Sequence, residues 1–229
     1  MSNGLNQSLY ELSDSQDEYG NIDISTIANR WDAKADLWDE QLQNSDSHLN
    51  QDGAYDQFIL DAKALLQTFN GKSVHLMEIG CGTALVAEAL QKSSVTITGV
   101  DISDKMLEKA RRKGILNASF HNADVFALPI SGTPKADLVL SRGILLSHYS
   151  KHDAGAMLRA IRNCCEQKAS VVMLDFLNAE ASDPNHHRPG NKTYYHPSEI
   201  AEMASEVGFN SCRFTGTNKQ RSRCVIIAL

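Results

Sequence analysis

The stretch 74–90 constrains the fold more than any other part of the chain. An apolar run with a single acid, Glu78, is followed by the turn residues Gly80 and Gly82 and then by the helix-forming run 85–90. Because glycine has no Cβ, such a turn lets backbone N–H groups and a helix N-terminus approach a ligand closely. The stretch therefore predicts a strand, a tight turn and a helix, with a ligand site at the turn.

Strand and helix patterns alternate along the rest of the chain. The expected strands are 73–79, 95–101, 117–121, 136–142 and 169–177, and the helices near them are 84–92, 104–113 and 153–166. This alternation predicts a parallel sheet with helices on both faces. Two last runs, 210–216 and 223–228, predict an antiparallel hairpin on the sheet edge. We expect an α/β fold with a Rossmann-like, doubly wound, mostly parallel seven-stranded sheet and an antiparallel C-terminal hairpin.

The acid and the glycines of the first turn have a defined spacing. Glu78, Gly80, Gly82 and Ala84 fit the pattern acidic-x-Gly-x-Gly-x-Gly/Ala. The dinucleotide fingerprint G-x-G-x-x-G fails, because Leu85 stands where its third glycine should be. A nicotinamide-dependent oxidoreductase is therefore disfavoured.

Three later strand ends carry polar residues. Asp101 closes the second strand, Asp124 follows the third, and Ser141-Arg142 follows the fourth. A carboxylate at the end of the second strand can accept hydrogen bonds from both hydroxyls of a ribose. Together with the glycine turn, these pieces resemble the motifs of class I S-adenosylmethionine (SAM) methyltransferases.

The resemblance implies SAM as the cofactor, S-adenosylhomocysteine (SAH) as its product, and a set of residues that bind it. The glycine turn would approach the methionine part, Glu78 would face its ammonium group, and Asp101 would bind the ribose. Asp124 and the Val125 N–H would meet the adenine. The full implied set is Glu78, Gly80, Cys81, Gly82, Asp101, Ile102, Met106, Asp124, Val125, Ser141 and Arg142.

Structural alternatives stay open for several of these residues. Asp101 could cap the helix that follows it, and Asp124 could cap a loop. Met106, expected with Ile102 to line the adenine, could equally belong to the core. Arg142 could pair with a carboxylate of cofactor or substrate, or form a structural ion pair. The turn itself could be purely structural.

His148 is the candidate catalytic base. It follows the fourth strand, next to where the transferred methyl group should point, and a histidine of near-neutral pKa can accept a proton from a hydroxyl or an amine. The surrounding Leu146-Ser147-His148-Tyr149 departs from the Leu-His-His-Leu form that is commoner in relatives. Substrate contact or simple packing is the alternative.

The chain organisation follows the same resemblance. Residues 1–22 are polar and aperiodic and are expected to be a disordered tail, and 23–229 to be one methyltransferase domain. Within it, 23–70 would form a helical lid and 73–229 the core. The lid includes Trp31 and Trp38, which could instead pack as one apolar helix face.

The expected acceptor pocket uses the lid and the region before the last helix. Residues assigned to substrate contact are Trp31, Trp38, Tyr149, His186, Tyr194 and Tyr195. His186, His187 and His196 could suggest a metal site, but no acidic or cysteine ligand pattern accompanies them. We therefore expect no metal.

Composition limits the partners. The chain contains 22 lysine and arginine residues and 28 aspartate and glutamate residues, which gives a formal net charge of −6. This charge disfavours a nucleic-acid surface that depends on bulk positive charge. Five cysteines without C-x-x-C spacing fit a reduced compartment. No apolar run is long enough for a membrane span, and the acidic start does not look like a signal peptide. We expect a cytoplasmic protein, with a homodimer left open.

The expected activity is methyl transfer from SAM to oxygen or nitrogen of a small metabolite. Amino-methyltransferases that modify bases carry Asn/Asp-Pro-Pro-aromatic after the fourth strand, whereas this chain has Ser141-Arg142-Gly143-Ile144. Two alternatives stay open. One is a SAM-binding or scaffold protein without turnover, and the other is a methyltransferase that acts on tRNA or protein.

Overall fold

The computed structural model describes residues 24–43, 53–143, 145–166, 170–181, 192–216 and 221–228. The strands are β1 Val74–Ile79, β2 Val95–Asp101, β3 Ala118–Asn122, β4 Leu138–Ser141, β5 Ser170–Leu177, β6 Ser211–Thr215 and β7 Arg221–Ala228. The helices are α1 Ile24–Lys34, α2 Trp38–Gln43, α3 Ala54–Gln67, α4 Leu85–Leu90, α5 Asp104–Arg112, α6 Lys151–Cys164 and α7 Pro197–Glu206. Short 3-10 helices include Ala35–Leu37, Val125–Ala127 and Leu145–His148.

The strands form one sheet in the order β3-β2-β1-β4-β5-β7-β6. The first five in this order run parallel, whereas β7 pairs antiparallel with both β5 and β6. The chain order reverses between β1 and β4. In open α/β sheets, the crevice beyond the carboxyl ends of the strands at such a reversal is where ligands bind. The glycine turn after β1 and Ser141-Arg142 at the end of β4 both lie there.

Two apolar clusters cover the two faces of the sheet. Leu76 and Met77 are adjacent in β1 but belong to different clusters, because successive side chains in a strand point to opposite faces. One cluster adds residues of α6 and α7, and the other adds residues of α3 and α4. Every residue of β1 is buried, as expected for a central strand with helices on both sides.

The parallel five-stranded part of the predicted fold is confirmed, and its strand ends lie within two residues of the expected positions. The amino-terminal segment is helical, but Ala35–Leu37 divides it into α1 and α2. The expected tail, 1–22, lies outside the described residues. No helix in the described part of the chain is long and apolar enough to cross a membrane.

Candidate active site

The glycine turn leaves space in front of its backbone. Gly80 and Gly82 have φ of +67° and +53°, a region that glycine enters without the steric cost of a Cβ. The Gly80 N–H donates to Val100 O at 2.8 Å, which ties the turn to β2. A Cβ on Gly80 would meet no atom within 4 Å, so the turn opens onto free space there.

Asp101 holds this turn against the start of α5. Its Oδ2 accepts a hydrogen bond from the Gly82 N–H at 2.8 Å, and its Oδ1 accepts one from the Ser103 N–H at 2.9 Å. Burial raises the pKa of Asp101. The N-cap of α5 is Ser103, whose Oγ accepts from the Met106 N–H, so the alternative that Asp101 caps this helix is wrong.

Glu78 is a buried carboxyl group directly before the turn. Its Oε2 accepts a hydrogen bond from the Ala87 N–H at 3.1 Å. Burial raises its pKa to about 8, and the negative charge of Asp101 adds to the effect. Burial and the charge of Glu78 in turn raise the pKa of Tyr55, on α3, to about 12.

The end of β4 contributes a buried hydroxyl. The Ser141 Oγ is buried and has no hydrogen-bond partner among the described residues. Arg142 is buried too, with its guanidinium 5.3 Å from the centre of the Tyr55 ring. Most buried polar atoms in proteins have a partner, so the Ser141 hydroxyl indicates a place for a bound water or ligand.

Two residues at this edge were missed by sequence reasoning. Tyr55 lies on an ordinary amphipathic helix, and its hydroxyl donates to Leu85 O at 3.2 Å. Asp175 is the single acid of β5, and its Oδ1 accepts from the Gly143 N–H at 2.9 Å. The only indication in the sequence that Asp175 has a role at this edge was its position as the single acid of an otherwise apolar strand.

The residues expected around the adenine lie beyond the end of β3. The Ala123 N–H donates to Asp101 O at 3.1 Å, which places this loop beside β2. Asp124 Oδ1 accepts from the Phe126 N–H and caps the 3-10 helix, so the loop-cap alternative is observed. Val125 and Met106 are buried, and Ile102 is half-buried. Cys81 is also buried, and burial raises its pKa well above the usual value.

Two tryptophan side chains form a row of contacts between the glycine turn and His148. A Cβ on Gly82 would lie 3.3 Å from the Trp38 Nε1, so this indole lies directly over the turn. The Trp38 and Trp31 rings contact edge to face with centroids 5.2 Å apart. Trp31 then contacts the His148 ring at 6.0 Å. The amino-terminal helices therefore cover the crevice beyond the carboxyl ends of the strands.

Three acids of the amino-terminal segment attach it to the core. Asp32 Oδ1 accepts from the Ser103 hydroxyl and from the Lys105 N–H. Asp36 pairs with Lys109 at 3.0 Å, and Asp39 accepts from the Thr83 hydroxyl and pairs with Lys113 at 2.9 Å. The hydrogen bond from Lys109 lowers the pKa of Asp36. Sequence reasoning missed the shared role of these three acids. Their spacing of four and three residues, which places them on one face of a helix, was the only indication of it.

The surroundings of His148 do not suit a free catalytic base. The Lys192 Nζ lies 2.9 Å from the His148 Nδ1, and an ammonium donates in such a pair. Burial, with the positive charges of Lys192 and Arg30, lowers the pKa of His148 well below its usual value. The imidazole is therefore neutral near pH 7. Its Nδ1 lone pair is occupied by the Lys192 ammonium.

Two of the tyrosines expected at the substrate are structural in this fold. Tyr195 is fully buried, and its hydroxyl donates to Leu146 O and Tyr149 O, each at 3.2 Å. Tyr149 is buried against the Phe126 ring at 5.2 Å. These contacts give both residues a structural role in the fold, and their contact with substrate stays a prediction. Tyr194 is half-buried, and His186 lies outside the described residues.

Solved structures with the same fold contain the expected cofactor or its product. Magnesium protoporphyrin IX methyltransferase (ChlM) from Synechocystis PCC 6803, with bound SAM, has a TM-score of 0.70 and 19% identity, covering 91% of this chain and 99% of that one. The DhpI–SAH complex has a TM-score of 0.61 and 18% identity, covering 89% and 95%. At 18–19% sequence identity, this structural similarity establishes the fold of the chain and nothing beyond the fold.

Sequence comparison matches part of the chain to a known family. A family model described as a methyltransferase domain matches residues 76–168. These residues therefore have the sequence pattern of a methyltransferase domain, within a chain that has the fold of SAM-bound methyltransferases. The ubiquinone biosynthesis O-methyltransferase of Coxiella burnetii (strain RSA 493 / Nine Mile phase I) is 30% identical over 91 residues, which are 40% of this chain. The chain thus matches only 36% of the length of that curated relative.

The residues of the methyltransferase domain suit SAM chemically. The open side of Gly80 and the unpartnered Ser141 hydroxyl lie at the reversal of strand order, beside the carboxyl groups of Glu78 and Asp101. Carboxylates are the natural partners of an ammonium group and of ribose hydroxyls. Within the described residues, no group of three or more His, Cys, Asp or Glu side chains could hold a metal ion.

Proposed function

We propose that this protein transfers the methyl group of SAM to an oxygen or nitrogen atom of a small molecule. The observation that carries the proposal is the convergence, at the reversal of strand order, of an open glycine turn, the buried Glu78 and half-buried Asp101 carboxyl groups, and the Ser141 hydroxyl, which has no partner among the described residues. Bound SAM supplies an electrophilic methyl group on a sulfonium. The new C–O or C–N bond forms as the C–S bond breaks, and the acceptor releases a proton.

The proposed cofactor contacts follow the geometry of the crevice. Asp101 binds the ribose with the lone pairs that its bonds to Gly82 and Ser103 leave available. Glu78 takes the ammonium end of the methionine part, and Ser141 and Arg142 border the same end. Met106, whose Sδ lies 3.9 Å from the position of a Cβ on Gly82, borders the adenine together with Ile102, Asp124 and Val125.

The amino-terminal helices are proposed to act as a lid within a single domain formed by residues 23–229. With Trp38 over the turn and Trp31 beside His148, the lid excludes water from the reacting groups. Positioning and exclusion of water then provide most of the rate enhancement. We assign no base role to His148, since its Nδ1 already accepts from Lys192.

A small-molecule acceptor is supported by the relatives. The names of the Coxiella and Synechocystis proteins refer to ubiquinone biosynthesis and to magnesium protoporphyrin IX, both small molecules. The net charge of −6 disfavours tRNA as the acceptor. The cytoplasm is the proposed location, because five cysteines without C-x-x-C spacing fit a reduced compartment.

The proposal is tested by calorimetric titration of the purified full chain with SAM and with SAH, followed by measurement of SAH release with a panel of hydroxyl and amine acceptors. We expect micromolar binding of both compounds. Failure of well-folded protein to bind either compound would overturn the methyltransferase assignment. Binding without turnover of any acceptor would favour the non-catalytic alternative.

The lid contacts predict faster loss of bound product when they are removed. Asp32→Asn combined with Asp39→Asn removes both acids that bond to Ser103 and Thr83. Exposed or half-exposed ion pairs contribute about 0.2–1 kcal/mol each, so we expect SAH dissociation to accelerate roughly three- to tenfold. Stopped-flow fluorescence of the two tryptophans, both of which lie in the lid, measures this rate directly.

Glu40→Gln is the matched control for this pair. Glu40 is an exposed acid of α2, next in sequence to Asp39. Its substitution should leave the dissociation rate unchanged. An equal acceleration in Glu40→Gln would mean that the net charge of the segment matters and that the individual contacts do not.

A further inference from the structure

Helix α3 brings an aromatic side chain to the end of β4. Tyr55 packs against the apolar cluster that includes residues of α3 and α4, and Leu140 of β4 belongs to the same cluster. Because side chains two residues apart in a strand point to the same face, Arg142 is expected on the side of α3 as well. The Arg142 guanidinium indeed lies 5.3 Å from the centre of the Tyr55 ring. The ring therefore provides a surface on which this cation packs.

The same side chain reaches the first turn of α4. Its hydroxyl donates to Leu85 O at 3.2 Å, and Leu85 is the first residue of α4. Two residues further along α4, the Ala87 N–H donates to the Glu78 carboxyl group at 3.1 Å. Burial raises the pKa of Tyr55 to about 12, and the charge of Glu78 adds to the effect, so the hydroxyl keeps its proton at neutral pH. Tyr55 thus connects the end of β4 with the helix that follows the glycine turn.

An arginine side chain depends on such support for a fixed orientation. It has several rotatable bonds, and ordering them costs conformational entropy, whereas the negative face of an aromatic ring attracts the guanidinium and holds it in place. The N–H donors of a guanidinium form a rigid fork, so it can bind a ligand carboxylate in addition to a group of the protein. A guanidinium that is fixed before the ligand arrives loses less freedom on binding. The Tyr55 ring can supply this preorganisation for Arg142.

We propose that Tyr55 is a positioning residue of the cofactor site, which holds the Arg142 guanidinium for the carboxylate at the methionine end of SAM. The inference rests on the proposed function and deepens it, because it adds α3 to the elements that recognise the cofactor. In the proposed site, Glu78 takes the ammonium group of the same end, so the two charged groups of the amino acid part have separate partners. Tyr55 acts through Arg142, and the expected effects follow from the ring and not from contact with the ligand.

The experiment compares two ligands that differ only in this carboxylate. Calorimetry on the purified full chain measures the affinity for SAH and for its decarboxylated analogue, which keeps the ammonium group, the thioether and the adenosine. We expect wild type to bind SAH at least about tenfold more tightly than the analogue. Tyr55→Leu removes the ring and should weaken SAH about fivefold or more, while the affinity for the analogue stays within about twofold of wild type.

Three further variants keep this test decisive. Tyr55→Phe keeps the ring and removes only the hydroxyl, so its SAH affinity should stay within about twofold of wild type. Tyr55→Met is a second variant without a ring, whose flexible side chain fills irregular space, and it should show the same selective loss if Tyr55→Leu does not fold. Phe69→Leu is the matched control, because Phe69 is another half-buried aromatic residue packed against the same cluster. It should change neither affinity.

A double-mutant cycle tests whether Tyr55 acts through Arg142. In an Arg142→Gln background, Tyr55→Leu should cause no further loss of SAH affinity beyond about twofold, because both changes remove the same interaction. A residue that only stabilises the fold would instead lower the SAH affinity by the same factor in both backgrounds. Additive losses would therefore contradict the proposed role.

Other results would also overturn the inference. One is a wild type that binds SAH and the analogue equally well, and another is a loss in Tyr55→Leu that is equal for both ligands or absent for both. An SAH affinity of Tyr55→Phe as low as that of Tyr55→Leu would rule out the ring as the cause. If wild type binds neither SAH nor SAM, the proposed function fails and the inference fails with it. If both compounds bind and only the selective loss is absent, the inference alone is wrong.

Discussion

Glu78→Gln is expected to stabilise the cofactor-free protein at pH 9 while weakening its binding of SAM. Burial raises the pKa of Glu78 to about 8, from an ordinary value of 4.5. Between pH 4.5 and pH 8 the Glu78 carboxyl group is largely protonated in the folded protein and ionised in the unfolded chain, so the free energy of unfolding falls as pH rises. Above pH 8 this loss of stability is complete and amounts to at most about 5 kcal/mol. A neutral glutamine avoids this cost and can still accept the Ala87 N–H.

Binding of SAM should respond in the opposite direction. In the proposed site, the carboxylate form of Glu78 would attract the ammonium group of the ligand, so wild-type affinity should rise from about pH 6 to pH 7.5, by up to tenfold per unit. Above this range the ligand amine begins to lose its own proton. Glu78→Gln should bind SAM about tenfold more weakly at pH 7.5 and should lose this pH dependence.

Chemical denaturation at pH 6 and pH 9 measures the stability effect, and calorimetry across the same range measures the affinity. Glu202→Gln, an exposed acid of α7, is the matched control and should change neither quantity. If the free energy of unfolding of Glu78→Gln is lower than that of wild type at both pH 6 and pH 9, then the buried Glu78 carboxylate does not destabilise the protein, and this prediction is wrong. Unchanged affinity would remove Glu78 from the cofactor site.

The sequence predicted the part of the site that depends on local pattern. The glycine turn could be recognised because a strand, an acid and two glycines occur within nine residues of one another, between 74 and 82. Asp101 could be recognised because strand ends in a parallel sheet meet at one edge. The bounds of β5 followed from an apolar run with a single acid, as expected for a strand that is buried on both faces.

The contacts that sequence reasoning missed are long-range. Tyr55 meets Arg142 from a helix that precedes it by 87 residues, and nothing in either local pattern indicates the pairing. Asp32 reaches Ser103 across 71 residues, and Lys192 reaches His148 across 44. The structural contacts of Tyr195 and Tyr149 were missed for the same reason. An aromatic residue in a polar segment looks exposed until the fold shows which backbone carbonyl its hydroxyl meets.

Asp101→Asn is expected to cost more SAM affinity than any other conservative substitution at this site. The two oxygens of Asp101 accept from two different backbone N–H groups, of Gly82 and of Ser103. An asparagine has only one carbonyl oxygen, so in either orientation its NH2 group faces one of these donors. One backbone N–H is then left unsatisfied, at a cost of about 1–3 kcal/mol in stability.

The same substitution removes the carboxylate proposed to bind the ribose, so SAM affinity should fall at least about tenfold, or 1.4 kcal/mol. A loss of affinity could also arise from displacement of the turn alone. A 2′-deoxy analogue of SAH separates these causes in a double-mutant cycle, because the missing hydroxyl should weaken binding to wild type but not to Asp101→Asn. Asp104→Asn, an exposed acid in the first turn of α5, is the control and should bind both ligands as wild type does. If the analogue is equally weakened in wild type and Asp101→Asn, the carboxylate shapes the turn without touching the ribose, and the ribose contact must be sought elsewhere along the ends of β2 and β3.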